Sequence, residues 1–348
     1  MNQQEAPYQS LQIKSIREET RDFKTFVFEE GHSIRYKAGQ YLTLVRFENG
    51  EELRRSYSIT SSPVLGEPLA IGVKRVENGA FSRRLIDRTV PGDSLLSTGS
   101  GGFFVLPEES SPYQQFFFFA AGSGITPVFS LIKTALHAHA HIRVVLVYSN
   151  ASVEKAVYLK ELQALQQQLP GRFILETLFS NAADLSRARL HRDLVLAYRE
   201  QYSRVSNKAT LFYICGPESY MRLCIYTLQA SGVDPSSIRK ENFYFSNQVG
   251  RDALPPDTKD RMVRIKMGSA EYHIPVQYPD AILKAAKKQG LVLPYSCEAG
   301  RCGNCVAKCT EGTVWHSYNE VLTEKELAQG LILTCVGHPV GGDVVLEV

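Results

Sequence analysis

The sequence has no apolar run long enough to cross a bilayer. Its most apolar stretch, Phe116 to Ala121, spans six residues, where a membrane helix needs about 20. Such a run suits a buried strand, and no membrane span is expected. Met1 to Ser10 is polar and offers no apolar signal region. Charge of one sign is also scarce. A net charge of +3 is no argument for nucleic acid as a partner, and Arg54-Arg55, Arg83-Arg84 and Lys287-Lys288 are isolated pairs rather than a binding stripe. Repeats and low-complexity segments are lacking. Seven cysteines without an export signal speak against a disulfide framework and for a reducing cytoplasm. What remains is a globular composition, 44% hydrophobic and 22% charged, in a chain of 348 residues that can form two or three domains.

What the chain does have is a concentration of cysteine near its end. Cys297, Cys302 and Cys305, followed by Cys335, give the C-x₄-C-x₂-C…C spacing of a plant-type two-iron, two-sulfur site. Four thiolates bind two irons, two on each. The loop that wraps three sulfurs around a cluster needs backbone freedom, which Gly300 and Gly303 supply. Zinc also takes four cysteines, but usually as two close C-x₂-C pairs, and here a C-x₄-C precedes a single C-x₂-C. Cys215, Cys224 and Cys309 are left over. His137, His139 and His141 have no carboxylate or cysteine near them in sequence and read as a solvated turn.

From Leu11 to Val76 the pattern is short strands. Leu11 and Ile13, Phe26 and Phe28, then Tyr41, Thr43 and Val45 alternate with polar neighbours. Turn signals at Glu30-Gly31, Asn49-Gly50 and Asn78-Gly79 separate them, and no long helical pattern precedes Phe81. A small antiparallel barrel is expected. Arg55-Ser-Tyr57-Ser58 opens one strand, and Gly79-Ala-Phe-Ser82 opens a short helix. A helix start with free N–H groups suits a phosphate. Arg55 can clamp the same phosphate, and Tyr57 can stack on a flat ring.

After Pro112 strands alternate with helices, which predicts a parallel sheet. Strands are expected at Phe116–Ala120, Arg143–Tyr148, Phe173–Leu178 and Leu211–Ile214, with helices at Ile125–His137, Val153–Gln168 and Tyr220–Ser231. The first strand ends in Gly122-Ser-Gly124-Ile-Thr126-Pro127, a glycine turn placed where a dinucleotide pyrophosphate sits. A later strand ends in Cys215-Gly216-Pro217, at the same edge of the sheet. On its own, Cys215 reads as a small buried hydrophobe. Farther on, Met262–Met267 and Glu271–Val276 form a hairpin, Asp280–Gln289 and Thr323–Gln329 are helices, and Val344–Val348 is a final strand.

Together these segments resemble the ferredoxin–NADP reductase superfamily. Arg55-x-Tyr57-Ser58 is similar to its flavin motif and Gly79-x-x-Ser82 to its flavin pyrophosphate turn. Gly122-x-Gly124-x-x-Pro127 is similar to its pyridine-nucleotide turn and Cys215-Gly216-Pro217 to its nicotinamide-side loop. Pro91-Gly92-Asp93 and Gly102-Phe103 fit its barrel closure, with Ser100 where a proline is common, and Glu241-Asn-Phe243 fits its Glu-x-Phe. The order of flavin, nucleotide and C-terminal ferredoxin resembles the reductase components of bacterial oxygenases.

The resemblance implies a multidomain chain. It has an antiparallel β-barrel binding FAD rather than FMN at 7–111 and an α/β parallel-sheet NAD(P)-binding domain at 112–245. A linker at 246–260 and an α+β (β-grasp) 2Fe-2S ferredoxin domain at 261–348 follow. It assigns catalytic positions to Ser58, at flavin N5, and to Thr126 and Cys215, at the nicotinamide–flavin contact. Tyr57 would stack on the ring and Phe243 would cover it. NAD(P)H would deliver a hydride to the flavin, which would release single electrons to the cluster. The partner would be an oxygenase or hydroxylase component, or another one-electron acceptor protein. A redox-sensing interaction module and a stand-alone NAD(P)H oxidase or quinone reductase are the alternatives. Tyr148-Ser-Asn-Ala151 shows no arginine for a 2′-phosphate and Lys155 is the nearest cation, which leans toward NADH.

Overall fold

Period-two alternation of buried and exposed residues builds six strands in the first hundred residues. In the computed structural model, which describes residues 8–48, 50–203, 205–243 and 254–348, they are β1 (Gln9–Thr20), β2 (Phe23–Phe28), β3 (Tyr41–Glu48), β4 (Glu51–Ser58), β5 (Ala70–Lys74) and β6 (Ser94–Gly101). All pairings are antiparallel, in the order β4-β3-β6-β1-β2-β5. The two edge strands meet at the Ile59–Ile71 bridge, and the Thr60 N–H donates to the Ala70 carbonyl at 2.8 Å. The two edges thus meet at this point, which curls the sheet toward a barrel. Leu11, Ile13, Phe26, Phe28, Leu42 and Leu44 fill its core. The first helix, α1 (Ala80–Arg88), adds Phe81, Leu85 and Ile86 to that core.

The next elements alternate: β7 (Gln115–Ala121), α2 (Ile125–Ala138), β8 (Arg143–Asn150), α3 (Leu159–Gln168), β9 (Phe173–Phe179), α4 (Arg192–Tyr202), β10 (Thr210–Cys215), α5 (Glu218–Ala230) and β11 (Ile238–Glu241). The strands are parallel, in the order β11-β10-β7-β8-β9. The order reverses between β7 and β10, so their carboxyl ends border the crevice where such sheets bind ligands. Phe116 and Phe118 belong to the core shared with α2 and α3. Phe117 and Phe119 belong to the core shared with α4 and α5.

One expected helix differs. Val153–Gln168 is not continuous: a 3₁₀ turn at Val153–Lys155 is separated from α3 by Tyr158, whose φ is +59°. Its ring stacks on Phe129 at 4.5 Å and its hydroxyl shares a 2.8 Å hydrogen bond with Thr25 of the barrel. Tertiary contacts hold a backbone conformation that a tyrosine seldom adopts.

The chain divides into two compact units, one up to residue 244 and one from residue 245. The expected linker 246–260 falls partly outside the described residues; 254–260 contain neither helix nor strand. In the second unit, β12 (Arg261–Met267), β13 (Ala270–Val276), α6 (Ile282–Lys288), β14 (Val306–His316), α7 (Glu324–Ala328), β15 (Leu331–Leu333) and β16 (Gly337–Glu347) follow. The sheet order is β13-β12-β16-β14-β15, with β12 and β16 parallel. Ile282, Leu283, Ala285 and Ala286 of α6 pack on Val263, Ile265 and Leu346, so one helix is grasped by one sheet. Asp280 sits just outside α6, whose N-cap is Ala281. It pairs with Lys284 at 2.8 Å and with Lys288. Among the described residues no helix is long and apolar enough to cross a membrane.

Candidate functional site

The glycine turn after β7 is shaped by how closely it approaches β10. A Cβ on Gly124 would lie 2.2 Å from the Cys215 carbonyl oxygen, so no other residue fits there without moving backbone. A Cβ on Gly216 would meet Ala121 at 2.9 Å. Gly122 has φ +55° and open space around it. Glycine at 124 and 216 thus lets the two expected loops touch, and glycine at 122 lets the chain turn beside an open crevice. Thr126 and Pro127 lie in the buried first turn of α2, where the Thr126 hydroxyl donates to the Ser123 carbonyl at 2.8 Å.

The crevice has a volume of about 580 Å³, within the range of cofactor sites. Gly122, Ser123 and Pro217 line it; Gly124, Cys215 and Gly216 form the wall behind. Cys215 is fully buried, and burial pushes its thiol well up. Lys74, Lys155 and Arg189 also line the crevice and make no ion pair among the described residues. Three such cations suit a ligand rich in phosphate oxygens.

On the barrel, the two segments expected to hold flavin are neighbours. Tyr57 on β4 lies 6.2 Å from Phe81, beside Ser82 at the start of α1. Burial pushes the Tyr57 phenol up, which keeps it neutral. Ser82 is buried; its hydroxyl donates to the Gly79 carbonyl at 3.3 Å and accepts from the Val76 N–H at 3.2 Å. Its hydroxyl therefore shapes the turn. Arg55 is exposed and donates to the Arg54 carbonyl at 2.6 Å, while Ser58 is buried at the strand end. Phe243, half-buried just past β11, packs on the core of the parallel sheet.

In the second unit the four cysteines converge. Cys302 and Cys335 lie within hydrogen-bonding reach of Cys297, Cys335 also lies within reach of Cys305, and the Ala299 N–H donates to the Cys297 sulfur at 3.4 Å. Four sulfurs grouped in this way form a soft donor set for metal. Among the described residues no group of three or more histidine, cysteine or carboxylate side chains is spaced for a single ion. A two-iron cluster spreads its four thiolates over two metals, and its donor set need not match a one-ion site.

Residues 10–105 match the family described as Oxidoreductase FAD-binding domain, 118–225 the Oxidoreductase NAD-binding domain, and 266–340 the 2Fe-2S iron-sulfur cluster binding domain. The chain is 30% identical over 350 residues to a component of the 1,2-phenylacetyl-CoA epoxidase of Escherichia coli, covering 98% of this chain and 97% of that one. The chain belongs to the reductase components of oxygenase systems. The reductase is also 28% identical to the ferredoxin reductase component of 3-ketosteroid-9-alpha-monooxygenase from Rhodococcus rhodochrous, over 97% of its own length and 96% of the relative's. Its fold is similar to the solved structure of phthalate dioxygenase reductase, with a TM-score of 0.60, 23% identity and 98% coverage of both chains.

Two arginines of the reductase escape sequence reasoning. Arg189 reaches the nucleotide crevice from the segment before α4, far in sequence from Ser149 and Lys155 on the same lining. The absence of an arginine near Tyr148 therefore does not hold in space. Arg46 is a diagonal cross-strand neighbour of Arg55, since Leu44 faces Arg55 and Arg46 faces Leu53. Its guanidinium lies 5.7 Å from the centre of the Phe81 ring. The two-residue turn signal between Glu48 and Glu51 was the available clue, because hairpin register fixes which residues share a face.

Proposed function

We propose that this reductase draws electrons from NAD(P)H in the cytoplasm and passes them to a monooxygenase or hydroxylase component. The observation that carries the reading is the Gly124–Cys215 contact. It joins the turn suited to a nucleotide pyrophosphate and the loop suited to nicotinamide into one wall, facing a crevice that Phe23 and Lys74 of the barrel also line. When bound, the flavin accepts electrons in pairs and the cluster carries them singly.

The chain's own residues supply binding and orientation. Gly122, Gly124 and Gly216 bring backbone close to the pyrophosphate, and Pro217 borders the nicotinamide. Thr126 and Cys215 form the packed floor under that contact. Arg55 would offer charge to the flavin phosphates, while Arg46 beside it is paired with Glu48; Gly79 and Ser82 would shape the turn that receives them. Tyr57 would support the ring, Ser58 would support N5 and Phe243 would cover the ring face. Cys297, Cys302, Cys305 and Cys335 hold the cluster. The four parts are bounded at 7–111, 112–245, 246–260 and 261–348.

Arg189 and Lys155 support a second reading of the nucleotide. Two cations on the lining of the crevice, without an ion-pair partner among the described residues, match an adenosine 2′-phosphate better than a bare ribose. NADPH is therefore favoured over the NADH expected from sequence. Anaerobic flavin bleaching by each nucleotide tests both statements. The reading requires bleaching by NADPH with a lower half-saturating concentration than NADH. No bleaching by either nucleotide would overturn the electron path.

A further inference from the structure

Away from the nucleotide crevice, a strip of polar side chains, all but Glu67 buried, joins the barrel to α2. The Ser130 hydroxyl donates to the Ser61 carbonyl at 2.6 Å, and both residues are buried. One turn on, Thr134 shares a 2.7 Å hydrogen bond with the Ser62 hydroxyl. Between them the Lys133 ammonium pairs with Glu67, which also accepts from the Ser62 N–H at 2.6 Å. The same ammonium lies 4.5 Å from the centre of the Phe129 ring. Nothing in the binding sites described above uses these groups.

Stability alone does not explain such a strip. The Lys133–Glu67 pair is partly exposed and such a pair adds little net stability, and buried hydroxyls are costly unless matched. What directional pairs provide is a single register between two surfaces. That register has a particular use here. On α2, Ser130 and Thr134 lie one and two turns beyond Thr126, on the same face. On the barrel, Ser61 and Ser62 follow Ser58 by three and four residues. One rigid helix thus carries both the nicotinamide-side turn and the strip, and one short segment carries both the flavin-side serine and its counterpart. Thr126 itself abuts the barrel, since a Cβ on Gly72 would come within 2.6 Å of its methyl group.

We propose that Ser130, Lys133 and Thr134, clamped to Ser61, Ser62 and Glu67, set the hydride-transfer distance between the nicotinamide and the flavin. The proposal rests on the functional reading above. These are positioning residues: they act through Thr126 and Ser58 and touch neither ligand. A misplacement of about 1 Å can slow a reaction by roughly a hundredfold.

The test uses full-length holoprotein and compares Thr134→Val, which keeps volume and loses the hydroxyl, with Thr134→Ser, which keeps the hydroxyl. Ser130→Ala and the double variant Glu67→Gln/Lys133→Met extend the series. Stopped-flow bleaching with NADPH and with its 4-deuterated form gives the rate, the half-saturating concentration and the isotope effect. Thr134→Val and Ser130→Ala are expected to lose tenfold or more in limiting rate, with a larger isotope effect and half-saturation within about twofold of wild type. Thr134→Ser is expected to stay near wild type. Hydrogen exchange on the same proteins gives a readout independent of turnover: in Thr134→Val, amides of 59–67 should exchange at least tenfold faster while β1 and β6 stay protected. Wild-type rate and isotope effect in both Thr134→Val and Ser130→Ala would overturn the clamp. Equal slowing in Thr134→Ser would do the same, because loss of packing would then explain it. Failure of wild type to bleach would overturn the functional reading, and the clamp with it.

Discussion

In the first unit the residues assigned to chemistry sit at the ends of regular elements; in the second, three of the four sit in a stretch, 291–305, with neither helix nor strand, and the fourth, Cys335, in the turn between β15 and β16. The nucleotide turn needs little besides glycine, because β7, β10 and α2 already aim the backbone. The cysteine loop has no such frame and is tied by side chains instead. Lys287 pairs with Glu298 at 2.9 Å and lies 3.4 Å from the centre of the Tyr295 ring. Buried Arg301 pairs with Glu320 at 3.4 Å. Gly300, at φ +69°, approaches the Tyr318 carbonyl so closely that a Cβ would lie 2.8 Å from it. A site gripped by main chain spreads its dependence over many residues. A site gripped by four thiolates concentrates it.

The sharpest way to break that contrast is Cys302→Ser, which puts a hard oxygen where a soft thiolate belongs. The cluster should be lost, and electron delivery to an oxygenase partner should fall by about a hundredfold or more. Flavin absorbance and its anaerobic bleaching should survive, because the first unit has its own core. Ferricyanide reduction should largely survive as well. Loss of bleaching would mean that the two units are not independent.

Arg55→Ala tests the other side. Removing one charge-assisted phosphate contact should cost about 1.5–3 kcal/mol, or roughly ten- to a hundredfold in flavin retention. Absorbance of the purified variant measures it; full occupancy would return Arg55 to the solvated surface. Cys215→Ala should have a milder effect. The thiol is buried behind the crevice wall, so bleaching should slow by only a few-fold, about what a small packing change allows, and a wild-type rate would make Cys215 purely structural.

The smallest effect concerns acid stability of the second unit. Asp257 is held to about 2 by the Lys259 N–H first, then by Arg261 and the Gly341 N–H. Its folded value lies below the unfolded value of about 3.9. Its contribution is therefore present above about pH 4 and lost as pH falls toward 2. Asp257→Asn should flatten that part of the acid unfolding curve; an unchanged slope would show that the carboxylate contributes nothing.

The sequence was most legible where chemistry depends on spacing. Cys297, Cys302 and Cys305 point to a cluster by their intervals, within the stretch that matches a 2Fe-2S domain, and the expected strand–turn–helix around Gly122 is present within the stretch that matches an NAD-binding domain. It was least legible where contact joins distant positions. Tyr158 breaks an amphipathic run because Thr25 and Phe129 hold it. Arg189 joins Lys155 across an intervening strand, and Lys133 meets Glu67 from 66 residues away. Periodicity reports which face is buried, not what meets it. The strand β11 and the helix α4 were missed for the same reason: one is four residues long and the other is charged on most of its surface.

The four consecutive phenylalanines of β7 also carry a cost during synthesis. Both cores that receive their rings also draw on β10, through Leu211 and Tyr213 in one and Phe212 and Ile214 in the other, so neither is complete before the chain reaches Thr210. Until that strand emerges from the ribosome, an uncharged, proline-free aromatic segment lacks a neighbour in both cores. That composition is the signature of a segment prone to aggregate. The nascent chain therefore passes through a window of about 60 residues, from Asn150 to Thr210, in which this aromatic strand is paired along one edge only. Fragments ending before Thr210 should accumulate as aggregates.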